Sequence, residues 1–394
     1  MASADQATGL SRVAGVMTGT SMDAIDVAIL SIGQQVTLGQ IESLIRLDHF
    51  GSRPLDRQLV TMLMALQQPG EDELHRQALA SNTFADAVSR TILETLTQAG
   101  LTPKDISAVG VHGQTVRHRP ELGYTIQLNA PARIAETTGI RVVSDFRSRD
   151  IAAQGQGAPL VPAFHRAIFS QHQDLKAVVN IGGIANLTWL GSPLIGFDTG
   201  PGNCLMDLWM QRHRGESFDR NGAWAASGKC HEPLLSAMQS DPFFAKRQPK
   251  STGRDLFSTQ WLDQHLAQHR SLATEDVQAT LLMLTAETIA QAIIDQEKQS
   301  SEKDPAAIAL STVAVCGGGA QNPVLMKALS DRLSERLARS IRVSSTAHLG
   351  WDPQVIEASA FAWLAYQTLN GAPGNCPEVT GALGPRILGS ITPA

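Results

Sequence analysis

The sequence predicts an α/β protein of two related lobes. Three observations carry that expectation. Apolar runs with β-type spacing recur along the chain, helical stretches separate them, and nearly every run ends in glycine or polar residues. The length of 394 residues also exceeds one domain of about 150 residues. A chain of that size divides its core between lobes. In open α/β sheets ligands bind beyond the carboxyl ends of the strands, so the glycine loops of both halves are expected to share one central cleft.

The elements follow in order. Residues 13–17 read as a strand, Gly19-Thr20-Ser21 as a sharp turn, and the alternating Ile25, Val27 and Ile29 as a second strand. The chain therefore opens with a β-hairpin, not with the strand-to-helix turn of a dinucleotide fold. A helical stretch spans about 55–99 and stops at Gly100. Strand 106–111 ends in His112-Gly113-Gln114-Thr115, and strand 140–143 ends in Asp145-Phe146-Arg147. Strand 177–181 ends in Gly182-Gly183, a hairpin turn or a ligand contact, and strand 194–197 leads into Asp198-Thr199-Gly200-Pro201-Gly202-Asn203. Strand 313–316 ends in Gly317-Gly318-Gly319. Later helices are expected over 274–296, from the Asn322-Pro323 cap, and from near Pro353. The polar segment 298–304 reads as a surface loop. Residues 1–170 are expected to form the N-terminal lobe and 171–394 the C-terminal lobe, with the tail able to return to the first.

Composition excludes several classes. Apolar residues at 43 % and charged residues at 18 % do not fit a disordered chain or a coiled coil. The net charge of -5, without a basic tract, gives no focused face for nucleic acid, and no such partner is expected. Cys204, Cys230, Cys316 and Cys376 lack metal-site spacing and read as core thiols. The start, MASADQATGLSR, lacks the apolar centre of a signal peptide, and no run of 18 uncharged apolar residues follows. A cytoplasmic protein with no membrane partner is expected.

Candidate site residues sit in the glycine loops. The turn Gly19-Thr20-Ser21-Met22-Asp23 points N–H groups into one space that suits phosphate oxygens. Asp23 or Asp26 can hold magnesium directly or through water. An ordinary hairpin turn is the alternative. Asp198, directly after an apolar strand, can take a proton from a nucleophile or sit near a metal, and an Asx-type cap of the helix that starts near Asn203 is the alternative. Gly317, Gly318 and Gly319 allow close approach to a bulky ligand, and no Gly-Lys-Ser or Gly-Lys-Thr of a Walker loop follows. Gln114 and Thr115 can bind sugar hydroxyls, and Arg147 or Arg149 a carboxylate. Glu357 lies in an apolar helix, where an unpaired carboxylate is costly, so it is expected to face the cleft or solvent.

Together, blocks 13–30, 111–117, 145–165, 180–186, 196–207, 316–322 and 356–365 resemble the bacterial anhydro-N-acetylmuramic acid kinases, and the likeness runs to Thr380-Gly381-Ala382-Leu383-Gly384-Pro385-Arg386. The resemblance implies the two-lobed actin-like (ribonuclease H-like) ATPase fold, ATP with Mg2+ in the interlobe cleft, and a homodimer. It implies a first phosphate loop of Gly19, Thr20, Ser21, Met22, Asp23, Ala24, Ile25 and Asp26, nucleotide contacts from Gly200, Gly202, Asn203 and Gly317 to Gly319, and Asp198 as catalytic base. It implies a sugar site with Gln114, Thr115, Arg147 and Glu357. The implied reaction converts 1,6-anhydro-N-acetylmuramic acid, ATP and water to N-acetylmuramic acid 6-phosphate and ADP, in cell-wall recycling. An ordinary sugar kinase and an ATP-driven binding module are the rival functions, which the fold alone does not separate.

Overall fold

The computed structural model describes residues 10–19, 22–37, 40–172, 174–253, 256–269, 271–304 and 308–394, with backbone alone at 34–37 and 40–43. It comprises two compact units, Met1–Phe164 with Val355–Ala394, and His165–Gln354.

In the first unit, β1 (Leu10–Thr18), β2 (Ala24–Thr37) and β3 (Gln40–Pro54) form an antiparallel meander. Next come β4 (Ala108–Val111), a separate hairpin of β5 (Gln114–Arg119) and β6 (Tyr124–Leu128), and β7 (Val142–Ser144). Strand β4 pairs parallel with β1, and β7 parallel with β4. The C-terminal strand Ser390–Thr392 closes the edge antiparallel to β7. The second unit repeats this plan. Strands β8 (Leu175–Ile181), β9 (Ile184–Trp189) and β10 (Ile195–Pro201) form a meander, and β11 (Thr312–Cys316) and β12 (Arg342–Ser345) add in parallel beside β8. The orders β3-β2-β1-β4-β7 and β10-β9-β8-β11-β12 are one topology used twice.

Each sheet is covered because its strands are apolar. Helix Glu73–Gln98 packs Phe84, Val88 and Ile92 on Ala14, Val16, Val109 and Val111. Helix Ile356–Leu369 lies on the other face with Phe361, Leu364 and Ala365 against Val13 and Ala108. There Gly15 and Gly110 let it touch the strand backbone. A Cβ at Gly15 would overlap the carbonyl oxygen of Ala358, and one at Gly110 that of Phe361. In the second unit, helices Thr274–Lys303 and Pro323–Arg336 bury Leu281, Leu284, Ile289, Leu325 and Leu329 with Val179, Leu187, Val313 and Val315. Helix Thr274–Lys303 is long and apolar enough to cross a membrane by length and composition, but most of its apolar stretch is buried in the unit.

Several expectations need correction. The stretch 55–99 is two helices, Arg57–Ala65 and Glu73–Gln98, separated around Pro69-Gly70. The segment 298–304 is helical through Lys303, because glutamate, lysine and glutamine favour helix even when solvated. The last long helix starts at Ile356, after a turn from Pro353. The first stretch of the first unit ends at Phe164, not at residue 170. The chain returns to the first unit at Val355, since helix Ile356–Leu369 fits the Gly15–Gly110 surface and the final strand pairs with β7. The return is tied down by Asp150, which is fully buried and accepts from Asn375 Nδ2 at 2.7 Å and Thr380 Oγ1 at 2.8 Å.

Candidate active site

In the second unit β8, β10 and β11 run the same way, so their carboxyl ends share one edge. There the register forms a row across four strands: Cys316 opposite Asn180, Asn180 opposite Asn186, and Asn186 opposite Asp198. Neighbours in register share a face, and this face is the one away from Val179, Leu187 and Phe197. Asp198 lies on the edge strand. Its N–H donates to the Lys250 carbonyl at 3.1 Å, and its Oδ2 accepts from the Thr252 N–H at 2.8 Å. A bulge follows, with Asp198 paired to Asn186 and Gly200 to Ala185, so the chain turns away directly after the carboxylate.

The turn ends on the β8–β9 hairpin. The N–H groups of Gly202 and Asn203 donate to the carbonyls of Gly183 (2.9 Å) and Gly182 (2.8 Å), and Asn203 Nδ2 donates to the Ile181 carbonyl at 3.2 Å. Asn203 thus braces the hairpin and its side chain does not cap helix Cys204–Arg214. Gly317 follows β11 with φ 78°, and a Cβ there would overlap Asn180 Oδ1. Gly318 has nothing nearer to a Cβ than Asn203 Nδ2 at 3.7 Å, so that face of the loop is open. The structure therefore gathers Asp198, Gly200 to Asn203 and Gly317 to Gly319 at one edge, and adds Gly182-Gly183. The signal for that pair was positional, because it joins the first two strands of its unit as the Gly19 turn does in the other. Behind this row, His165 is buried, with Nδ1 at 2.9 Å from Thr188 Oγ1, and burial pushes its pKa down to about 3. It is a neutral core residue. Cys204, Cys316 and Cys376 are buried, and burial raises the Cys230 thiol to about 11, so none is an activated nucleophile.

In the first unit the carboxyl ends of β1, β4 and β7 lead into the Gly19 turn, the segment His112 to Thr115, and Asp145 to Arg147. Thr20 and Ser21 lie outside the described residues. The Met22 N–H closes the turn on the Gly19 carbonyl at 3.1 Å. Met22 and Ile25 bury their side chains in the core, so these two offer a ligand only backbone, and Ala24 opens β2 between them. Asp23 is exposed. Asp26 accepts from Ser52 Oγ at 2.6 Å. Burial raises its pKa, the Ser52 bond acts against that, and the Asp23 carboxylate adds to the rise. A divalent cation beside the two carboxylates would relieve this repulsion, so the pair fits magnesium. Among the described residues no group of three His, Cys, Asp or Glu could hold a metal, which leaves water and phosphate to complete such a shell.

Arg147 donates through Nη1 to the Gly157 carbonyl at 2.7 Å and through Nε to His112 Nε2 at 3.0 Å. His112 is held well below the ordinary histidine pKa, first by burial and then by the Arg147 charge. Its ring lies 4.6 Å from that of Phe361, one helical turn beyond the half-buried Glu357. This contact links Arg147 to the helix that carries Glu357. Thr115 Oγ1 accepts from Gln127 Nε2 at 3.2 Å. Gln114 Oε1, His112 Nδ1, Thr18 Oγ1 and Ser359 Oγ are buried without a hydrogen-bond partner among the described residues. Such atoms call for a polar ligand or water.

Two units of one topology, each with glycine turns at the carboxyl ends of its parallel strands, define the two-lobed actin-like (ribonuclease H-like) class of ATPases, which includes sugar kinases. The family model described as anhydro-N-acetylmuramic acid kinase matches residues 11–394, and the chain belongs to that family. It is 46% identical over 385 residues to the anhydro-N-acetylmuramic acid kinase of Pseudomonas paraeruginosa, covering 97% of this chain and 99% of that one. It is 47% identical over 392 residues to the enzyme of that name from Burkholderia pseudomallei, covering 96% and 97%. A solved activator of the 2-hydroxyisocaproyl-CoA dehydratase from Clostridium difficile, with bound ADPNP, aligns over 91% of this chain and 96% of its own at 13% identity and a TM-score of 0.40, a likeness without weight here.

Proposed function

We propose that this protein is an ATP-dependent kinase that opens 1,6-anhydro-N-acetylmuramic acid by hydrolysis and phosphorylates O6. The products are N-acetylmuramic acid 6-phosphate and ADP, and the role is cell-wall recycling. The family match across residues 11–394 carries this reading. The family likeness also supports a homodimer that acts on a small molecule in the cytoplasm, and the net charge of -5 without a basic tract speaks against a nucleic-acid partner.

The chemistry explains why a carboxylate serves as base. In the anhydrosugar O6 bridges to C1 and carries no proton. Asp198 takes the proton from a water that attacks C1, the C1–O6 bond breaks, and O6 attacks the γ-phosphorus of ATP as ADP leaves. The Thr252 N–H on Asp198 Oδ2 fixes the orientation of the base. Gly19 to Asp26 and Gly200 to Asn203 border the phosphates, with the Gly202 and Asn203 N–H groups bracing the β8–β9 hairpin, and Gly317 to Gly319 serve the adenosine. Asp23 and Asp26 would hold magnesium, directly or through water, and the ion would supply neutralisation of phosphate charge. Gln114, Thr115 and Glu357 bind sugar hydroxyls or the amide, and Arg147 a carboxylate.

The test is mass spectrometry of the sugar product formed in oxygen-18 water. One heavy oxygen at C1, with none in the transferred phosphate, is expected. Phosphorylation of free N-acetylmuramic acid with no turnover of the anhydro form would make the protein an ordinary sugar kinase. ATP loss with neither sugar modified would favour a binding module.

A further inference from the structure

Asp198 sits on the free edge of its sheet, since β10 is the last strand in the order. An edge carboxylate has no neighbouring strand to fix it on that side. Here the segment 250–252 takes that place, with the Lys250 carbonyl accepting the Asp198 N–H at 3.1 Å and the Thr252 N–H donating to Asp198 Oδ2 at 2.8 Å. The Lys250 side chain anchors the segment. Its Nζ donates to the carbonyls of Phe244 at 3.3 Å and Phe243 at 3.5 Å. The same ammonium lies 4.7 Å from the Phe243 ring centroid and 5.9 Å from that of Phe197, the residue before Asp198. It stands in the wall of a cavity of about 770 Å³ that Phe197, Thr199, Phe244 and Asp295 also line.

We propose that Lys250 is a positioning residue for the reaction, which through its carbonyl and the Thr252 N–H two residues on sets the strand edge and one carboxylate oxygen of Asp198. The inference rests on the reading of Asp198 as the base. Lys250 meets β10 at two successive residues, by its carbonyl on the Asp198 N–H at 3.1 Å and by its ammonium 5.9 Å from the Phe197 ring centroid. Burial lowers its pKa, and the Asp198 and Asp295 carboxylates oppose that while Lys246 adds to it. The two carbonyls and two rings hold the cation in place despite the desolvation. Misplacing a base by about 1 Å costs roughly a hundredfold in rate, so releasing this anchor acts on turnover more than on binding.

The test compares Lys250→Met with Lys250→Arg in steady-state kinetics with ATP, magnesium and the anhydrosugar. Lys250→Met is expected to lower kcat at least tenfold, with both KM values within about twofold and the melting temperature unchanged. Lys250→Arg is expected to recover most of kcat, because a guanidinium also binds carbonyls and ring faces. If Lys250→Met does not fold, Thr252→Pro removes the N–H from Asp198 Oδ2 and keeps Lys250, and the same loss confined to kcat is expected. Wild-type kcat in a folded Lys250→Met or Thr252→Pro protein overturns the inference, as does a loss that Lys250→Arg shares in full. An Asp198→Asn variant separates the two readings. Turnover near wild type there overturns the base itself. An inactive Asp198→Asn beside a fully active Lys250→Met overturns only the positioning role.

Discussion

Gly15 and Gly110 are partners on adjacent parallel strands, and helix Ile356–Leu369 rests its backbone on both. The contact sets the height of the helix that carries Glu357. A methyl group at Gly110 would overlap the Phe361 carbonyl and come within 2.9 Å of the Ala365 Cβ. Gly110→Ala is therefore expected to cost about 1–3 kcal/mol by overpacking, read as a lower urea midpoint. The displaced helix should raise KM for the sugar while leaving KM for ATP near wild type.

Gly317 combines a left-handed φ of 78° with a side-chain position that Asn180 Oδ1 already fills. Gly317→Ala should displace the loop that we propose serves the adenosine. Calorimetric titration with ATP is expected to show at least tenfold weaker binding, about 1.4 kcal/mol or more, and the sugar should bind as before.

Asp150 accepts from the Gly157 N–H at 2.8 Å as well as from Asn375 and Thr380. Asp150→Ala leaves the Gly157 N–H unpaired at about 1–3 kcal/mol, and leaves Asn375 Nδ2 and Thr380 Oγ1 only their longer bonds to the carbonyls of Gly384 (3.3 Å) and Cys376 (3.4 Å). Limited proteolysis should then cleave the C-terminal segment well before the rest of the chain. Equal resistance in variant and wild type would refute this account of how the tail is held.

Buried histidines set an acid limit on stability. Burial lowers His165 to about 3 and His118 to about 4, with the Arg147 charge adding to the effect on His118. An unfolded histidine titrates near about 6.5. Below that pH the unfolded chain binds protons that the folded chain does not, so this stability is complete above about 6.5 and falls as pH drops towards 4 and 3. The urea midpoint should decrease from pH 7.5 to 5. His165→Gln, which keeps a partner for Thr188, should flatten that slope.

Local signals made much of this fold legible. Ile25, Val27 and Ile29 recur at the strand period of two, and the Asn322 side chain caps its helix by accepting the Leu325 N–H at 3.0 Å. Strand β3, the four-residue β12 and the three-residue C-terminal strand carry weak patterns, because they lie at or beside sheet edges and expose much of their surface. Asp198 stood out because glycines follow an apolar strand. Its partner Thr252 did not, since the two meet across 54 residues of chain. The His112–Arg147 bond spans 35 residues and was hidden for the same reason. Gly182-Gly183 read as either a hairpin turn or a ligand contact, and the repeated topology gives it the position of the Gly19 turn.

The return of the chain at Val355 has a consequence for synthesis. A ribosome delivers every strand of the second unit before it makes the helix that covers Gly15 and Gly110. The nascent first unit must wait with Val13, Ala108 and Val143 uncovered on one face until the final segment emerges. The second half of the message is thus translated into the unit that can finish folding first, and the first half completes last, against the usual N-terminal-first order.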